Sequence, residues 1–125
     1  MSSLYSGAVL DHFQSPRNAG DLPGASVQVE VTNPVCGDVL RLAVRLSDGR
    51  VDEARFKAQG CVASIACASW LTEWMNGKTA DELAGLTADA LSEALGRLEP
   101  ASRHAADLAC DALRSLLNAS RTHDQ

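Results

Sequence analysis

The segment VLRLAVRLSDGRVDEARFKAQG (residues 39–60) decides the fold of this chain of 125 residues. Two strand-like runs lie on either side of Ser-Asp-Gly-Arg. Asp48 and Gly49 form a strong short hairpin signal, because both residue types tolerate the positive φ angles of a tight turn. The segment therefore predicts an antiparallel β-hairpin. The alternating run VQVEV (residues 27–31) predicts a third strand, which completes a three-stranded antiparallel sheet.

After Gly60 the hydrophobic period changes from that of a strand to that of a helix. In residues 61–75 the apolar positions recur every three or four residues and form one stripe: Ala63, Ala66, Cys67, Trp70, Leu71 and Trp74. The segments TADELAGL and TADALSEAL each begin with threonine before an acidic residue, which is typical of short N-capped helices. A last helix, beginning near Pro100, carries a second stripe: Ala105, Leu108, Ala109, Ala112, Leu113, Leu116 and Leu117.

The order of strands and helices indicates the fold class. Strands come first and helices after, apart from a short N-terminal helix that we expect from about Leu4 until Pro16 stops it. This order predicts an α+β fold in which the helices pack on one face of the three-stranded antiparallel sheet. The length, and the lack of any linker-like stretch, predict a single domain over residues 1–125.

The composition restricts the classes of function. Hydrophobic residues make up 46% of the chain and charged residues 22%, the balance of a globular protein. The net charge of -5 argues against nucleic acid as the main partner, because binding phosphates requires clustered lysine and arginine. No apolar run approaches the roughly 20 residues that span a bilayer, and the N-terminus has no secretory signal pattern. We therefore expect a cytoplasmic protein without membrane association.

The chain has four cysteines: Cys36, Cys61, Cys67 and Cys110. Disulfides are disfavoured in the cytoplasm, which leaves metal binding, thiol chemistry and plain burial as interpretations. Cys67 lies on the apolar stripe, about 240° around the helix from Cys61, and is predicted to be core. Cys61 opens the helix after Gly60, where the partial positive charge of a helix N-terminus favours the metal-binding thiolate. Cys36, in the turn NPVCGDV, also lies at the end of an element, although burial as a small hydrophobe remains the alternative for both.

His104 lies near the start of the last helix and off its apolar stripe. Cys110 is six residues further on, about 9 Å along the helix axis and about 240° around it. These two side chains therefore cannot easily share one metal ion. We expect Cys110 to be buried or half-exposed and to have no part in a site.

Four longer segments resemble, in order, a known family. They are YSGAVLDHFQSPRNAG, NPVCGDVLRLAV, ARFKAQGCVASIACASWLTEWMNGKTADEL and LEPASRHAADLACDAL. Together they resemble IscU, the U-type scaffold for iron–sulfur cluster assembly, and the N-terminal part of NifU. The resemblance covers nearly the whole chain without large insertions, and it implies the IscU/SufE-like form of the α+β fold.

The resemblance also implies a set of four ligands with mixed chemistry. In the order of the chain they are Cys36 and Asp38 of the Cys-Gly-Asp turn, Cys61 after the glycine, and His104 at the last helix. Ala105 stands where the family has its third cysteine. Such a set suits a labile iron–sulfur cluster, expected to be [2Fe–2S], because soft thiolates hold it while imidazole and carboxylate complete the shell. The same four groups also suit Zn²⁺, as two cysteines, one histidine and one aspartate.

A scaffold function and its partners follow from the same resemblance. The resemblance implies that the protein is a carrier and not a conventional enzyme. The carrier would receive sulfur as a persulfide from a pyridoxal-phosphate cysteine desulfurase and electrons from a ferredoxin-like donor. The cluster then passes to acceptor apoproteins. The family's Leu-Pro-Pro-Val-Lys chaperone motif is reduced here to LEPAS (residues 98–102), which predicts weak or no stimulation of a specialised Hsp70 with its J-protein. The oligomeric state stays open between monomer and homodimer.

Two other functions remain open from the sequence. One is a zinc-dependent sulfur acceptor, similar to SufU, in which a thiolate of Cys36 or Cys61 takes sulfur from the desulfurase. The missing third cysteine favours this function, whereas the retained His104 and the absence of the SufU insertion argue against it. The other is a degenerate protein that binds the desulfurase or regulates a scaffold without holding a cluster.

Overall fold

A hairpin of two long strands forms the centre of the fold, in a computed structural model that describes residues 5–123, with side chains described up to residue 120. The elements in chain order are α1 (Gly7–Gln14), β1 (Val27–Thr32), β2 (Val39–Ser47), β3 (Arg50–Gln59), α2 (Val62–Met75), α3 (Ala80–Ala84), α4 (Ala88–Ala94), a 3₁₀ turn (Pro100–Ser102) and α5 (Arg103–His123). The predicted α+β fold with a three-stranded antiparallel sheet is confirmed.

The turn between β2 and β3 has the geometry that its sequence predicts. Asp48 has φ 53° and Gly49 has φ 77°, so both central residues are left-handed. Two such residues make the turn whose twist matches that of the two strands. β1 pairs antiparallel with β2 on the other side, which gives the strand order β1-β2-β3.

The two faces of the sheet differ in chemistry. One face is apolar, and residues such as Leu42, Val44 and Phe56 are at most 3% exposed beneath α2 and α5. The other face carries charged cross-strand pairs, for example Arg41 with Glu30 at 3.4 Å. Such exposed pairs add little stability but keep this face in water. The helices therefore cover one face only, as the sequence predicts.

The predicted stripe on α2 is confirmed at its centre and shifted at its edge. Cys67 and Leu71 are fully buried, whereas Trp70 and Trp74 are half-buried. The two indole rings stack at 5.8 Å between centroids, and the ammonium of Lys78 lies 4.7 Å from the centre of the Trp74 ring. The tryptophans therefore lie at the edge of the core. Their partly exposed rings are stabilised there by stacking on each other and, for Trp74, by the cation–π contact with Lys78.

The helix ends follow the capping signals in the sequence. Thr79 and Glu82 form a reciprocal capping box on α3, and the Thr87 side chain accepts a hydrogen bond from the Ala90 amide on α4. The last helix begins at Arg103, because residues 100–102 form a 3₁₀ turn first. The N-terminal helix begins at Gly7, and its predicted start at Leu4 lies outside the described residues. None of the helices in the described part of the chain is long and apolar enough to cross a membrane.

A buried polar contact joins α1 to α2. Nδ1 of His12 lies 2.8 Å from the hydroxyl of Ser69, which also accepts a hydrogen bond from the amide of Arg17. His12 is 7% exposed and Ser69 is fully buried. Burial, and then the positive charge of Arg17, hold the pKa of His12 below its ordinary value near 6.5. The imidazole is therefore a neutral part of the interface between the two helices.

This lowered pKa predicts a loss of stability in acid. In mild acid, His12 binds a proton in the unfolded chain but stays neutral in the folded protein. The free energy of unfolding should therefore fall as the pH drops below the ordinary pKa near 6.5. In His12→Asn the fall should be smaller, by no more than about 1.4 kcal/mol per pH unit, since only one proton is involved. Urea unfolding at about pH 7.5 and about pH 5.5 measures both slopes. Equal slopes in the two proteins would contradict this account of His12.

Candidate functional site

The loop between β1 and β2 presents Cys36 to solvent. The side-chain oxygen of Asn33 accepts hydrogen bonds from the amides of Val35 at 2.8 Å and Cys36 at 3.2 Å. The amide of Gly37, with φ 79°, donates to the carbonyl of Asn33, and the amide of Asn33 donates to the carbonyl of Asp38. This closed turn fixes Cys36 at its tip, where the thiol is exposed.

Asp38 turns back from the same loop to the N-terminus of α2. Its Oδ2 accepts hydrogen bonds from the hydroxyl of Ser64 at 2.6 Å and from the amide of Cys61 at 3.3 Å. Cys61 is the N-cap residue, and its own side chain does not cap the helix. The carboxylate thus takes the place of a cap, where a negative charge also interacts favourably with the helix dipole.

The environment of Asp38 keeps it ionised although the residue is buried. The hydrogen bond from Ser64 is the largest cause that lowers the pKa of Asp38 below its usual value, and the Cys61 amide adds to it. Burial acts in the opposite direction but does not prevail. A negatively charged carboxylate therefore lies beside two thiols.

His104 is held by the turn that precedes α5. Its Nδ1 lies 3.0 Å from the carbonyl oxygen of Ala101. A carbonyl oxygen only accepts, so Nδ1 carries a proton, and in the neutral imidazole Nε2 is then the nitrogen with the free lone pair. Nε2 lies 3.7 Å from the sulfur of Cys61 and 3.7 Å from Oδ2 of Asp38. The lone pair is therefore available among the other donors.

The structure brings together all four side chains that the sequence analysis named. Donor atoms of Cys36, Asp38 and His104 lie within 4.8 Å of one another, and Cys61 joins them through its 3.7 Å contact with His104. Donors around one tetrahedral zinc ion are roughly 3.3–3.8 Å apart, given bonds of about 2.0–2.3 Å. Small side-chain movements would therefore close this arrangement on a metal centre.

The remaining cysteines lie in the core, as predicted. Cys67 is fully buried and Cys110 is 6% exposed, and burial raises the pKa of both thiols. They therefore stay protonated and apolar. Ala105, next to His104, is 1% exposed and belongs to the same core. A cavity of about 440 Å³ opens beside Cys61 and His104, and Tyr5 also lines it.

Sequence reasoning missed two residues that build this site. Ser64 is 3% exposed, and its hydroxyl contacts both Asp38 and the sulfur of Cys61, the latter at 3.4 Å. Gly60 leaves room for the carboxylate, since a Cβ there would lie 2.5 Å from Cγ of Asp38. The available signals were a serine in the first turn of an apolar helix and the glycine before Cys61.

Comparison with known proteins identifies relatives along about nine-tenths of the chain. The family model of the NifU-like N terminal domain matches residues 4–123. The chain is 44% identical over 111 residues to the iron–sulfur cluster assembly scaffold protein IscU 1 of Archaeoglobus fulgidus, covering 89% of this chain and 72% of the relative. It is 38% identical over 117 residues to the IscU scaffold protein of Escherichia coli K12, covering 90% and 91%.

Solved structures share the fold. The N-terminal NifU-like protein of Brucella abortus superposes with a TM-score of 0.77, covering 95% of each chain at 20% identity. A protein of Fervidobacterium islandicum, named for cluster assembly in the SUF system, superposes with a TM-score of 0.68. It covers 91% of this chain and 96% of its own, also at 20% identity. At this identity the likeness concerns the fold alone.

The close approach at Gly60 predicts a specific loss of stability. In Gly60→Ala the new methyl group should push Asp38 away from Ser64, and the free energy of unfolding should fall by about 1–3 kcal/mol. Gly7→Ala is the control, because a Cβ there meets nothing within 4 Å. Urea unfolding followed by circular dichroism measures both.

A second variant separates this clash from a general effect of alanine. In Asp38→Ala the carboxylate is gone, so adding Gly60→Ala should cost only what the positive φ of Gly60 imposes on alanine, which is less than its cost in the wild-type chain. An equal loss in both backgrounds would show that the contact between Gly60 and Asp38 does not limit this position.

Proposed function

This chain belongs to the NifU-like N-terminal domain family, and we propose that it is a scaffold on which an iron–sulfur cluster is assembled and from which the cluster passes to acceptor apoproteins. Relatives that carry the name of such a scaffold are 38–44% identical over about nine-tenths of the chain. The observation that supports the proposal most directly is the convergence of four metal-binding side chains from three separate segments.

The number and kind of donors favour a [2Fe–2S] cluster as the cargo. Each iron of such a cluster takes two protein ligands besides the two bridging sulfides, so the cluster needs four donors in all. Cys36 and Cys61 would supply thiolates, His104 its Nε2 lone pair, and Asp38 a carboxylate oxygen. Two soft donors hold the iron, while the carboxylate is the ligand that exchanges most readily.

The exposure of the donors suits loading and release. Asp38 lies at the buried end of the set, Cys61 and His104 are half-buried, and Cys36 is exposed at its loop tip. Val35 beside it is 93% exposed. A partner protein can therefore reach Cys36 without opening the core, and we assign delivery of sulfur and removal of the cluster to this side.

Sulfur delivery by a cysteine desulfurase would follow simple thiol exchange. The thiolate of Cys36 attacks the outer sulfur of the donor's persulfide, the sulfur–sulfur bond of the donor breaks, and the donor leaves as a thiolate. Cys36 then carries the persulfide. Two electrons from a ferredoxin-like donor reduce its outer sulfur to sulfide and restore the Cys36 thiolate. The chain acts as a carrier throughout.

A zinc-dependent sulfur acceptor is the second candidate. It is favoured by the compactness of the site, since the donors of Cys36, Asp38 and His104 lie within 4.8 Å of one another and Cys61 contacts His104, which also suits a single tetrahedral ion. In that case zinc would occupy the four donors, and Cys36 or Cys61 would leave the metal to accept sulfur. The two functions differ in the metal that the desulfurase-loaded protein holds.

Anaerobic reconstitution distinguishes these functions. With iron, cysteine and a cysteine desulfurase, the wild-type chain should gain about two irons and about two sulfides, seen by metal analysis and visible absorption. Cys61→Ser should abolish this gain because it removes one of two thiolates. Cys110→Ser is the matched control and should load normally, since Cys110 lies in the core. A wild-type chain that keeps one zinc and gains no cluster would support the sulfur acceptor instead.

Cluster release tests the role of Asp38. In Asp38→Ala the ligand that exchanges most readily is lost, so transfer to an apoferredoxin should slow several-fold. Asp52→Ala, which removes an exposed carboxylate from β3, should transfer at the wild-type rate. Circular dichroism of the acceptor follows the transfer. Faster release from Asp38→Ala would contradict the role assigned to this ligand.

A further inference from the structure

In the proposed function, Oδ2 of Asp38 has two alternative partners. It either accepts hydrogen bonds from Ser64 and the Cys61 amide or binds the metal. Oδ2 of Asp38 is the oxygen that lies 3.7 Å from Nε2 of His104, so it faces the other donors. The same oxygen accepts the hydrogen bonds from Ser64 at 2.6 Å and from the Cys61 amide at 3.3 Å. A carboxylate oxygen has two lone pairs, and both are used. Binding a metal through Oδ2, the oxygen nearest to His104, therefore displaces one of these hydrogen bonds.

The direction of the Ser64 hydrogen bond is fixed by its partners. An ionised carboxylate only accepts, so the hydroxyl of Ser64 donates its one hydrogen to Asp38. The oxygen of Ser64 also lies 3.4 Å from the sulfur of Cys61. One hydroxyl therefore restrains two of the proposed ligands in the metal-free protein. Ser64 is 3% exposed, so water does not readily replace it.

We infer that Ser64 is a positioning residue that competes with the metal for Oδ2 of Asp38 and thereby lowers the affinity of the site. The inference rests on the proposed function of the site. When metal or cluster binds through Oδ2, this oxygen exchanges the Ser64 hydrogen bond for a metal bond. When the cluster leaves, the hydroxyl of Ser64 again donates a hydrogen bond to the carboxylate. The hydroxyl thus competes with the cargo for one ligand, and affinity is lower than the four donors alone would give.

Zinc affinity measures this competition without any transfer step. Competition with a chromophoric chelator gives the dissociation constant of zinc from the whole chain. In Ser64→Ala the competing hydrogen bond is gone, so zinc should bind about 5- to 10-fold more tightly than to wild type, the equivalent of one hydrogen bond. Ser64→Thr keeps a hydroxyl and should restore the wild-type affinity. Weaker or unchanged binding to Ser64→Ala would overturn the inference.

Two further variants separate positioning from a general structural effect. Ser69→Ala removes a fully buried serine from the same helix, at a position that contacts His12 and not the site, and should leave zinc affinity unchanged. In an Asp38→Ala background, Ser64→Ala should no longer tighten binding, because the restrained ligand is absent. Tightening that persists without Asp38 would show that Ser64 acts elsewhere and would overturn the inference.

Zinc and cluster binding distinguish a failure of the proposed function from a failure of the role inferred for Ser64. If the wild-type chain binds neither zinc nor cluster, the proposed function fails. If the wild-type chain binds zinc and Cys61→Ser does not, but Ser64→Ala binds no more tightly, the scaffold site stands and only the role of Ser64 fails.

Discussion

The site depends on the hydrogen bonds that the carboxylate of Asp38 accepts at the N-terminus of α2. The carboxylate joins the loop before β2 to the central helix through the Ser64 hydroxyl and the Cys61 amide. Gly60 has no side chain where a Cβ would strike this carboxylate. Because the buried charge is paired with a helix end and a hydroxyl, it remains ionised inside the protein. The loop that carries Cys36 is thereby fixed next to Cys61.

The rest of the fold places two further element ends beside that carboxylate, the start of α2 and the start of α5. The hairpin and α2 follow each other directly, so Cys61 begins the helix where β3 ends. The 3₁₀ turn before α5 supplies the Ala101 carbonyl that orients His104. A set with two thiolates and two weaker donors binds a cluster less firmly than four thiolates would. Moderate affinity is what a carrier requires, since it must both collect and surrender its cargo.

Local signals made most of the fold predictable from the sequence. Asp48-Gly49 defines the hairpin through positive φ angles, and Thr79 and Thr87 mark helix starts by side-chain capping. These features depend on near neighbours in the chain, so the residues alone carry the information. The positions of Trp70 and Trp74 at the edge of the core depend instead on their mutual stacking and on which neighbours cover them. Periodicity does not carry that information.

The donors of the candidate site were predictable as residues but not as an arrangement. Position at element ends and family resemblance indicated Cys36, Cys61 and His104. Ser64 was not recognisable, because a serine in a helix usually has no such role and its partner Asp38 lies 26 residues away. The imidazole tautomer likewise depends on a backbone carbonyl that folding brings to His104.

The central claim is that four donors of mixed chemistry from this one chain form a single metal centre. X-ray absorption at the zinc edge of the zinc-loaded wild-type chain tests it most directly. The account predicts about two sulfur ligands near 2.3 Å and about two nitrogen or oxygen ligands near 2.0–2.1 Å, with the scattering of one imidazole. A shell of four sulfurs would contradict the account, because it would require the buried thiols or a second chain. A shell without sulfur would contradict it as well.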